Sequence, residues 1–256
     1  MYFDSHVHSE MSPDSEMNAI EAIAVLEKKG LGVIFTEHVD YLPNPEVLRT
    51  GVDFICDFKR YPAEYKHLRS DSVLLGLEIG LDPENLENNI KTANGDYDYI
   101  IGSIHAVDGR DVFFEFPEDD SDPNGFISRY LTYAREMVEL GCFFDSFGHI
   151  EYVSRYNSIA HTIFKYENFA QEFDGLLKSI AEQDLAIEIN TSKFNPEVFL
   201  PIYKRFAQLG GRFCTLGSDA HIPENLGKHI HEASKFAQEL GLQVVYFKER
   251  KRLLCN

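Results

Sequence analysis

The sequence predicts an α/β fold, a barrel of parallel strands wrapped by helices, and three observations lead there. Short β-branched or aromatic runs alternate with longer amphipathic segments along all 256 residues; strands that alternate with helices pair in parallel through right-handed crossovers. Seven strand-plus-helix units follow one another without a Gly/Ser-rich or Pro-rich linker. That favours one closed or nearly closed barrel, a single domain over residues 1–256, rather than two domains. The structural alternative is an open doubly wound sheet, but no Gly-x-Gly-x-x-Gly follows the first strand to give it a dinucleotide site.

The elements are read in order. Phe3 to His6 is the first strand, and Asn18 to Gly30 a helix closed by its glycine. Val33 to Thr36 is the second strand, followed by a loop broken at Pro43 and Pro45 and a helix from about Val52 to Arg69. Val73 to Glu78 is the third strand, and a short helix begins after Pro83. Tyr99 to Ser103 is the fourth strand and Asn124 to Leu140 its helix. Phe143 to Gly148, Ala186 to Asn190 and Phe213 to Gly217 are the fifth, sixth and seventh strands. Their helices are Tyr166 to Gln183, Pro196 to Leu209 and Asn225 to Leu240. Val244 to Phe247 adds a final edge strand. There is no internal repeat and no low-complexity segment.

Composition narrows the function classes. A hydrophobic fraction of 44% supports a sizeable core. No apolar run approaches the roughly 18 residues of a membrane span. The opening Met1-Tyr2-Phe3-Asp4-Ser5-His6 has neither a basic nor an apolar leader region, so no signal peptide and a cytoplasmic location are expected. Cys56, Cys142, Cys214 and Cys255 are dispersed and form no Cys-x-x-Cys pair, which fits free thiols used as small core residues. A formal net charge of -18 argues against a nucleic-acid polymer as partner, because neutralising phosphates needs a basic face. The acidic run from Glu118 to Asp122 reads as a solvated loop.

The functional signal is where the metal-ligating residue types fall. His6 and His8 leave the first strand, with Asp14 in the loop behind them. Glu37 and His38 leave the second, Glu78 ends the third and His105 follows the fourth. His149 ends the fifth, and Asp219 and His221 leave the seventh. In a parallel barrel the C-terminal strand ends meet at one mouth, so these groups would face a single pocket. Residues two apart on a strand end point the same way, so His6 with His8, and Asp219 with His221, could each grip one ion. Imidazole suits zinc, iron or manganese, and a carboxylate such as Glu78 can bridge two ions. Asp4 could orient a ligand histidine from behind. The other histidines fit the surface: His67, His161, and the pair His229 and His231, which on a helix point to different faces.

These residues resemble a known family. His6-Val7-His8-Ser9 with Asp14, Thr36-Glu37-His38, Glu78, Gly102-Ser103-Ile104-His105, Gly148-His149-Ile150-Glu151 and Gly217-Ser218-Asp219-Ala220-His221 follow the order of the PHP (polymerase and histidinol phosphatase) superfamily. Within it the chain is similar to the PHP-type histidinol-phosphate phosphatases, through Asp145 to Glu151, Arg155-Tyr156 and Glu188-Ile189-Asn190-Thr191-Ser192. The resemblance implies a distorted (β/α)7 TIM-like barrel holding three divalent metal ions. One site would use His6, His8, Glu78 and Asp219. A second would share Glu78 and add His105 and His149; a third would use Asp14, His38 and His221. It also implies that Arg155 binds substrate phosphate. In similar phosphatases Asn-Thr-Ser-Gly follows the sixth strand, with an arginine two residues beyond; here the segment is Asn190-Thr191-Ser192-Lys193-Phe194-Asn195. Lys193 could supply that positive charge, as a point charge and not a bidentate fork.

The expected chemistry is hydrolysis of a small phosphate ester, L-histidinol phosphate first among them, by a metal-bound hydroxide. Arg155, Asp219 and His221 are the expected catalytic groups, and the chain is expected to work as a monomer or homodimer. Two rivals stay open, a phosphoesterase for nucleotides, oligonucleotides or phosphotyrosine and a non-catalytic metal-binding module. A third, an amide or lactone hydrolase, lacks its expected pattern here, a lysine bridge or a two-metal pattern.

Overall fold

The computed structural model describes residues 1–41, 54–113, 122–141 and 143–255. The chain runs β1 (Phe3–Val7), α1 (Ala19–Lys28), β2 (Gly32–Val39), α2 (Arg60–Tyr65), β3 (Val73–Gly80), α3 (Leu86–Ala93) and β4 (Tyr99–Ser103). A small hairpin follows, β5 (Ala106–Val107) with β6 (Arg110–Asp111), then α4 (Pro123–Leu140), β7 (Ser146–Phe147), α5 (Ser158–Ile163), α6 (Ala170–Glu182) and β8 (Ala186–Asn190). The chain ends with α7 (Pro196–Gln208), β9 (Phe213–Gly217), α8 (Ile230–Glu239), β10 (Gln243–Lys248) and β11 (Lys251–Leu254).

Parallel strands β1, β2, β3, β4, β7, β8 and β9 lie side by side in that order. The ring closes at its C-terminal end. Val7 bridges Ala220 in parallel, His8 N donates to Ala220 O at 3.0 Å, and Asp219 N donates to His6 O at 2.8 Å. At the other end β10 takes the place beside β9, pairing Gln243 with Phe213 and Val244 with Cys214, and β11 folds back antiparallel on β10. The barrel is therefore distorted: closed by β1 at the mouth and filled by the β10–β11 hairpin at the bottom.

Strand alternation builds the interior in columns. Ile34, Thr36 and His38 share one face of β2, as Leu74, Gly76 and Glu78 do on β3. The lower members pack in an apolar cluster with Phe3, Tyr99, Ile101, Ala186, Val245 and Phe247. The upper members are the polar groups of the mouth. The opposite strand faces pack against the helices in the larger core, where Leu26, Phe35, Leu75, Leu131, Phe173 and Phe206 are at most 1% exposed. Helix starts follow local chemistry. Asn18 caps α1 by accepting from Ile20 N and Glu21 N, and Asp122, Asn157 and Asn195 cap α4, α5 and α7.

Several expectations change. β2 and β3 run on to Val39 and Gly80, so His38 lies within its strand and not beyond it, and Glu78 is two residues short of its strand's end and not the last residue. The fifth strand shortens from Phe143–Gly148 to Ser146–Phe147. The helix expected from about Val52 reduces, among the described residues, to Arg60–Tyr65 and a 3-10 turn, Lys66–Leu68. Ahead of it, Ile55 pairs with Val39, and Asp40 N donates to Phe54 O. Helix α8 begins only at Ile230, behind the 3-10 turn Pro223–Asn225. Val244–Phe247 is flanked on both sides and is no edge strand; α5, the β5–β6 hairpin and β11 were not anticipated. Pro43, Pro45, Cys142 and the Glu118–Ser121 part of the acidic run lie outside the described residues. Cys56 and Cys214 are buried free thiols, as expected, and Cys255 is half-buried. Among the described residues no helix is long and apolar enough to cross a membrane.

Candidate metal centre

The mouth gathers nine of the ten side chains that the sequence placed at the strand ends; the tenth, Glu37, is turned to Ser9 and Ser12 instead. Glu78 is at the centre, fully buried, with its two oxygens turned to different neighbours. Oε2 lies 3.2 Å from His6 Nε2, 3.5 Å from His8 Nε2 and 3.1 Å from His38 Nδ1. Oε1 lies 2.7 Å from His149 Nε2 and 3.2 Å from His105 Nε2. Asp219 Oδ1 approaches both His6 Nε2 and His8 Nε2 at 3.6 Å. Farther out, Asp14 Oδ2 lies 3.0 Å from His221 Nε2 and 3.4 Å from His38 Nε2.

Backbone geometry aims these groups. His6 and His8 project inward from the end of β1, and the Asp219 N–H bond to His6 O pins the β9 end against them. Asp219 itself adopts a left-handed backbone, φ 55°. Aspartate tolerates that conformation better than most residues, and here it turns the side chain back toward His6 and His8.

Behind the cluster stands a ring of acceptors. Asp40, at the end of β2, has both carboxylate oxygens 3.0 Å from His105 Nδ1. A Cβ on Gly80 would come within 2.0 Å of Asp40 Oδ1, so the carboxylate occupies the space that glycine leaves. Glu37 points away from the cluster. It accepts from Ser9 N, Ser9 Oγ and Ser12 Oγ, and Ser12 Oγ in turn meets His8 Nδ1 at 3.2 Å. Asp4 does not orient a histidine as anticipated, because its carboxylate is taken by Ser218 N, Ser218 Oγ and Gly227 N. Glu188 has that role for His6, with Oε1 2.7 Å from Nδ1.

Electrostatics follow from this crowding. Burial opposes charge on His6, yet Glu78, Glu188 and Asp219 raise its pKa well above the usual histidine value. His105 is likewise opposed by burial and raised, to about 10, by Asp40 and Glu78. Burial also disfavours the charged form of Glu78, but His6, His105 and His38 hold its pKa well below the carboxylate range. His8 goes the other way, lowered by burial and by the cations at His38 and His221.

The donor set fits divalent cations, and buried atoms show it. His6 Nε2, His8 Nε2, His38 Nδ1 and Glu78 Oε2 are all buried and make no hydrogen bond among the described residues. A buried polar atom without a partner costs about 1–3 kcal/mol. Four of them turned toward one another make a cradle suited to a cation, which would compete with protons for the imidazole lone pairs. Within 4.8 Å, ligand atoms group as His6, His8 and Glu78; His38, Glu78 and His105; His6, His149 and Asp219; and His8, His38 and His221. Mixed imidazole and carboxylate donors suit zinc, iron or manganese.

The cluster forms the floor of a cavity of about 400 Å³. Its walls include Phe54, Phe113, Tyr152 and Tyr156, with Arg155, Lys193 and Asp111 as charged groups. Tyr152 stacks on His149 with ring centroids 4.7 Å apart, and Phe113 meets Tyr156 edge to face at 4.6 Å. Arg155 Nη1 donates to Asp219 Oδ2 at 2.6 Å, while Nη2 and Nε donate to Glu151 Oε1 at 2.6 and 3.2 Å. Lys193 is exposed at the rim. The remaining histidines are elsewhere: His67, His161, His229 and His231 are all exposed, and His229 is the residue ahead of α8 and not within it. Sequence reasoning missed Asp40 and the role of Glu188. Glu188 lies on a predicted strand and Asp40 four residues past one, but each acts through another residue's ring, and a ligand pattern carries no signal for that.

Comparison with known proteins agrees with this geometry. Residues 4–192 match the PHP domain. A probable histidinol-phosphatase from Clostridium acetobutylicum is 38% identical over 98% of both chains. A histidinol-phosphatase from Lactococcus lactis is 29% identical over 93% of this chain and 91% of its own. Among solved structures, the crystal structure of histidinol phosphate phosphatase from Lactococcus lactis, complexed with zinc, L-histidinol and phosphate, superposes with a TM-score of 0.87 at 27% identity, over 98% of each chain.

Proposed function

The chain belongs to the PHP domain family, and from that premise we propose that it is a metal-dependent phosphomonoesterase that hydrolyses L-histidinol phosphate to L-histidinol and inorganic phosphate. The observation that carries the reading is the set of buried ligand atoms of His6, His8, His38 and Glu78 without hydrogen-bond partners among the described residues; of these four, His38 and Glu78 line an aromatic-walled cavity. The relatives named histidinol-phosphatases, and the solved relative with zinc, L-histidinol and phosphate, give that cavity its substrate class.

Three divalent ions, zinc or else iron or manganese, would be held as follows. His6, His8, Glu78 and Asp219 form one ligand set; Glu78, His105 and His149 a second; Asp14, His38 and His221 a third. When bound, such ions polarise phosphoryl oxygens and acidify water for in-line attack on phosphorus. The chain's own residues do the rest. Asp40 and Glu188 hold the His105 and His6 rings so that their other nitrogens face the floor. Arg155 spends three of its five N–H groups on Glu151 and Asp219; its remaining donors suit the equatorial phosphate oxygens, where charge gathers in the transition state. Lys193 adds a cation at the rim. Tyr152, Tyr156, Phe113 and Phe54 suit a flat, compact leaving group such as an imidazolyl alcohol, and they keep bulk water from it.

The chain is further read as one domain, 1–256, since a single sheet runs from Phe3 to Leu254. It would work in the cytoplasm, as monomer or homodimer, on a small molecule and not on a nucleic-acid polymer or a membrane; the net charge of -18 supports the exclusion of the polymer. The test is phosphate release from L-histidinol phosphate, nucleoside monophosphates and a phosphotyrosine peptide, each with added manganese, iron or zinc. L-histidinol phosphate is expected to give the highest kcat/KM. A higher value for a nucleotide or phosphopeptide overturns the substrate assignment, and no turnover of any ester with any metal overturns the activity.

A further inference from the structure

Glu188 is 1% exposed and faces the barrel interior from β8. Its two oxygens serve two different strands. Oε1 lies 2.7 Å from the Nδ1 of His6, at the end of β1, and Oε2 accepts from the main-chain N–H of His149 at 2.7 Å. Asn190 Nδ2 also donates to Oε2, at 3.2 Å. β7 is only two residues long, so the main chain that carries His149 leaves its ladder early. The Glu188 carboxylate supplies the acceptor that the ladder no longer does.

We propose that Glu188 is a positioning residue that sets His6 and His149 together, in two ligand sets at once; the inference rests on the metal-centre reading above. A carboxylate that accepts from His6 Nδ1–H fixes the tautomer and turns the Nε2 lone pair to the floor, beside Glu78 Oε2 and Asp219 Oδ1. The chemistry requires an acceptor at both oxygens. Glutamine has the same shape but offers one acceptor and one donor. If its oxygen serves His149 N–H, its NH₂ faces His6 Nδ1 and drives the ring proton to Nε2, where the lone pair is needed. If its oxygen serves His6, its NH₂ opposes the His149 N–H.

A second feature points to the same pair. A Cβ on Gly217, the last residue of β9, would lie 2.4 Å from Glu188 Oε1 and 2.3 Å from His6 Cβ. Glycine at 217 is therefore the space in which the carboxylate meets the imidazole.

The experiment uses the full chain, stripped of metal by chelation and titrated with zinc against a chromophoric chelator. Glu188→Gln is expected to bind zinc about 10- to 100-fold more weakly than wild type, while its metal-free thermal melt stays close to the wild-type one. Gly217→Ala, which keeps the carboxylate and crowds it, is expected to weaken zinc in the same direction. Wild-type zinc affinity in Glu188→Gln overturns the proposal, as does a metal-free melt that collapses with affinity unchanged, which would make Glu188 a packing residue. Where Glu188→Gln yields no folded protein, Gly217→Ala decides, and wild-type affinity there overturns it. A wild-type chain that takes up no divalent ion fails earlier, at the metal-centre reading, and removes this inference with it.

Discussion

At the bottom of the barrel Ile34, Leu74 and Tyr99 fill the interior, and Phe247 stacks on Tyr99 with ring centroids 5.3 Å apart. Four residues further along β2 and β3, on the same strand faces, stand His38 and Glu78, with buried atoms that find no hydrogen-bond partner among the described residues. Polar groups at the bottom such as Tyr99 and Asp98 find partners. Tyr99 OH donates to Thr215 Oγ1 at 3.1 Å, and Asp98 accepts from Leu75 N and Glu249 N, each at 3.0 Å. The two ends differ in what burial costs. At the bottom, burial stabilises the chain; at the mouth it crowds ligand atoms together, a cost that a bound cation would offset. The strands are thus long enough to carry one end that holds the fold and another that withholds its partners for a ligand.

Metal removal breaks the comparison most sharply. Chelation should abolish phosphate release and lower the melting temperature, because an ion present at about 1,000 times its Kd stabilises the native state by about 4 kcal/mol. For a chain of this size that corresponds to a fall of roughly 10 °C, reversed by adding zinc or manganese. A melt unmoved by chelator would mean that the mouth is already satisfied without ions. Phe247→Ala attacks the other end. It should cost about 3–5 kcal/mol and lower the melt of metal-loaded and metal-free protein alike. Metal bound per folded molecule should not change, and a lost ion would show that the ends are coupled.

The two ends were also unequally legible. Strand identities and the nine mouth residues could be read because each potential ligand ends or follows a strand, and parallel topology brings strand ends together. The acceptors behind them could not. Asp40 and Glu188 act on the far nitrogen of a ring, and nothing in their spacing marks that. The bottom hid its closure for another reason. Between β10 and β11 the chain turns through Glu249 and Arg250 at φ 52° and 61°, a turn whose usual signature is Asn-Gly or Asp-Gly. Without that signature β11 looks like a polar tail. What holds it is tertiary: Arg250 donates to Asp145 Oδ2, Ala93 O and Phe143 O.

Arg250→Ala is the next test, with an expected cost of about 1–3 kcal/mol and a pH dependence of fixed sign. Burial raises the Asp145 carboxyl above its ordinary 3.8 even against the opposing pull of Arg250. The native state then keeps the proton longer than the unfolded one, so this group's contribution falls as pH rises from 3.8 through its folded value. Without the guanidinium that value climbs further. The stability deficit of Arg250→Ala should therefore widen from pH 4 toward neutrality in denaturant titrations. A deficit that narrows instead would remove Asp145 as its cause.

The smallest effect compares one lysine at each end. Lys193 stands exposed on the rim of the cavity, and Lys248 lies at the bottom, 2.7 Å from Asp71. Exposed charges act weakly through water, by a few tenths to about 1 kcal/mol. Lys193→Ala should accordingly raise KM for a dianionic phosphate ester by about two- to fivefold, leave kcat near wild type, and lose its effect at about 1 M salt, where the Debye length shrinks to about 3 Å. Lys193→Arg should keep the low KM, since charge and not a fork is what that position offers. Lys248→Ala should leave KM untouched at every salt concentration, because it lies at the opposite end of the barrel from the metal-centre cavity. If the two alanine variants behave alike, Lys193 contributes only to the general field of the protein. If Lys193→Ala lowers kcat as well, the rim lysine reaches the transition state, and the mouth extends further outward than its buried ligands suggest.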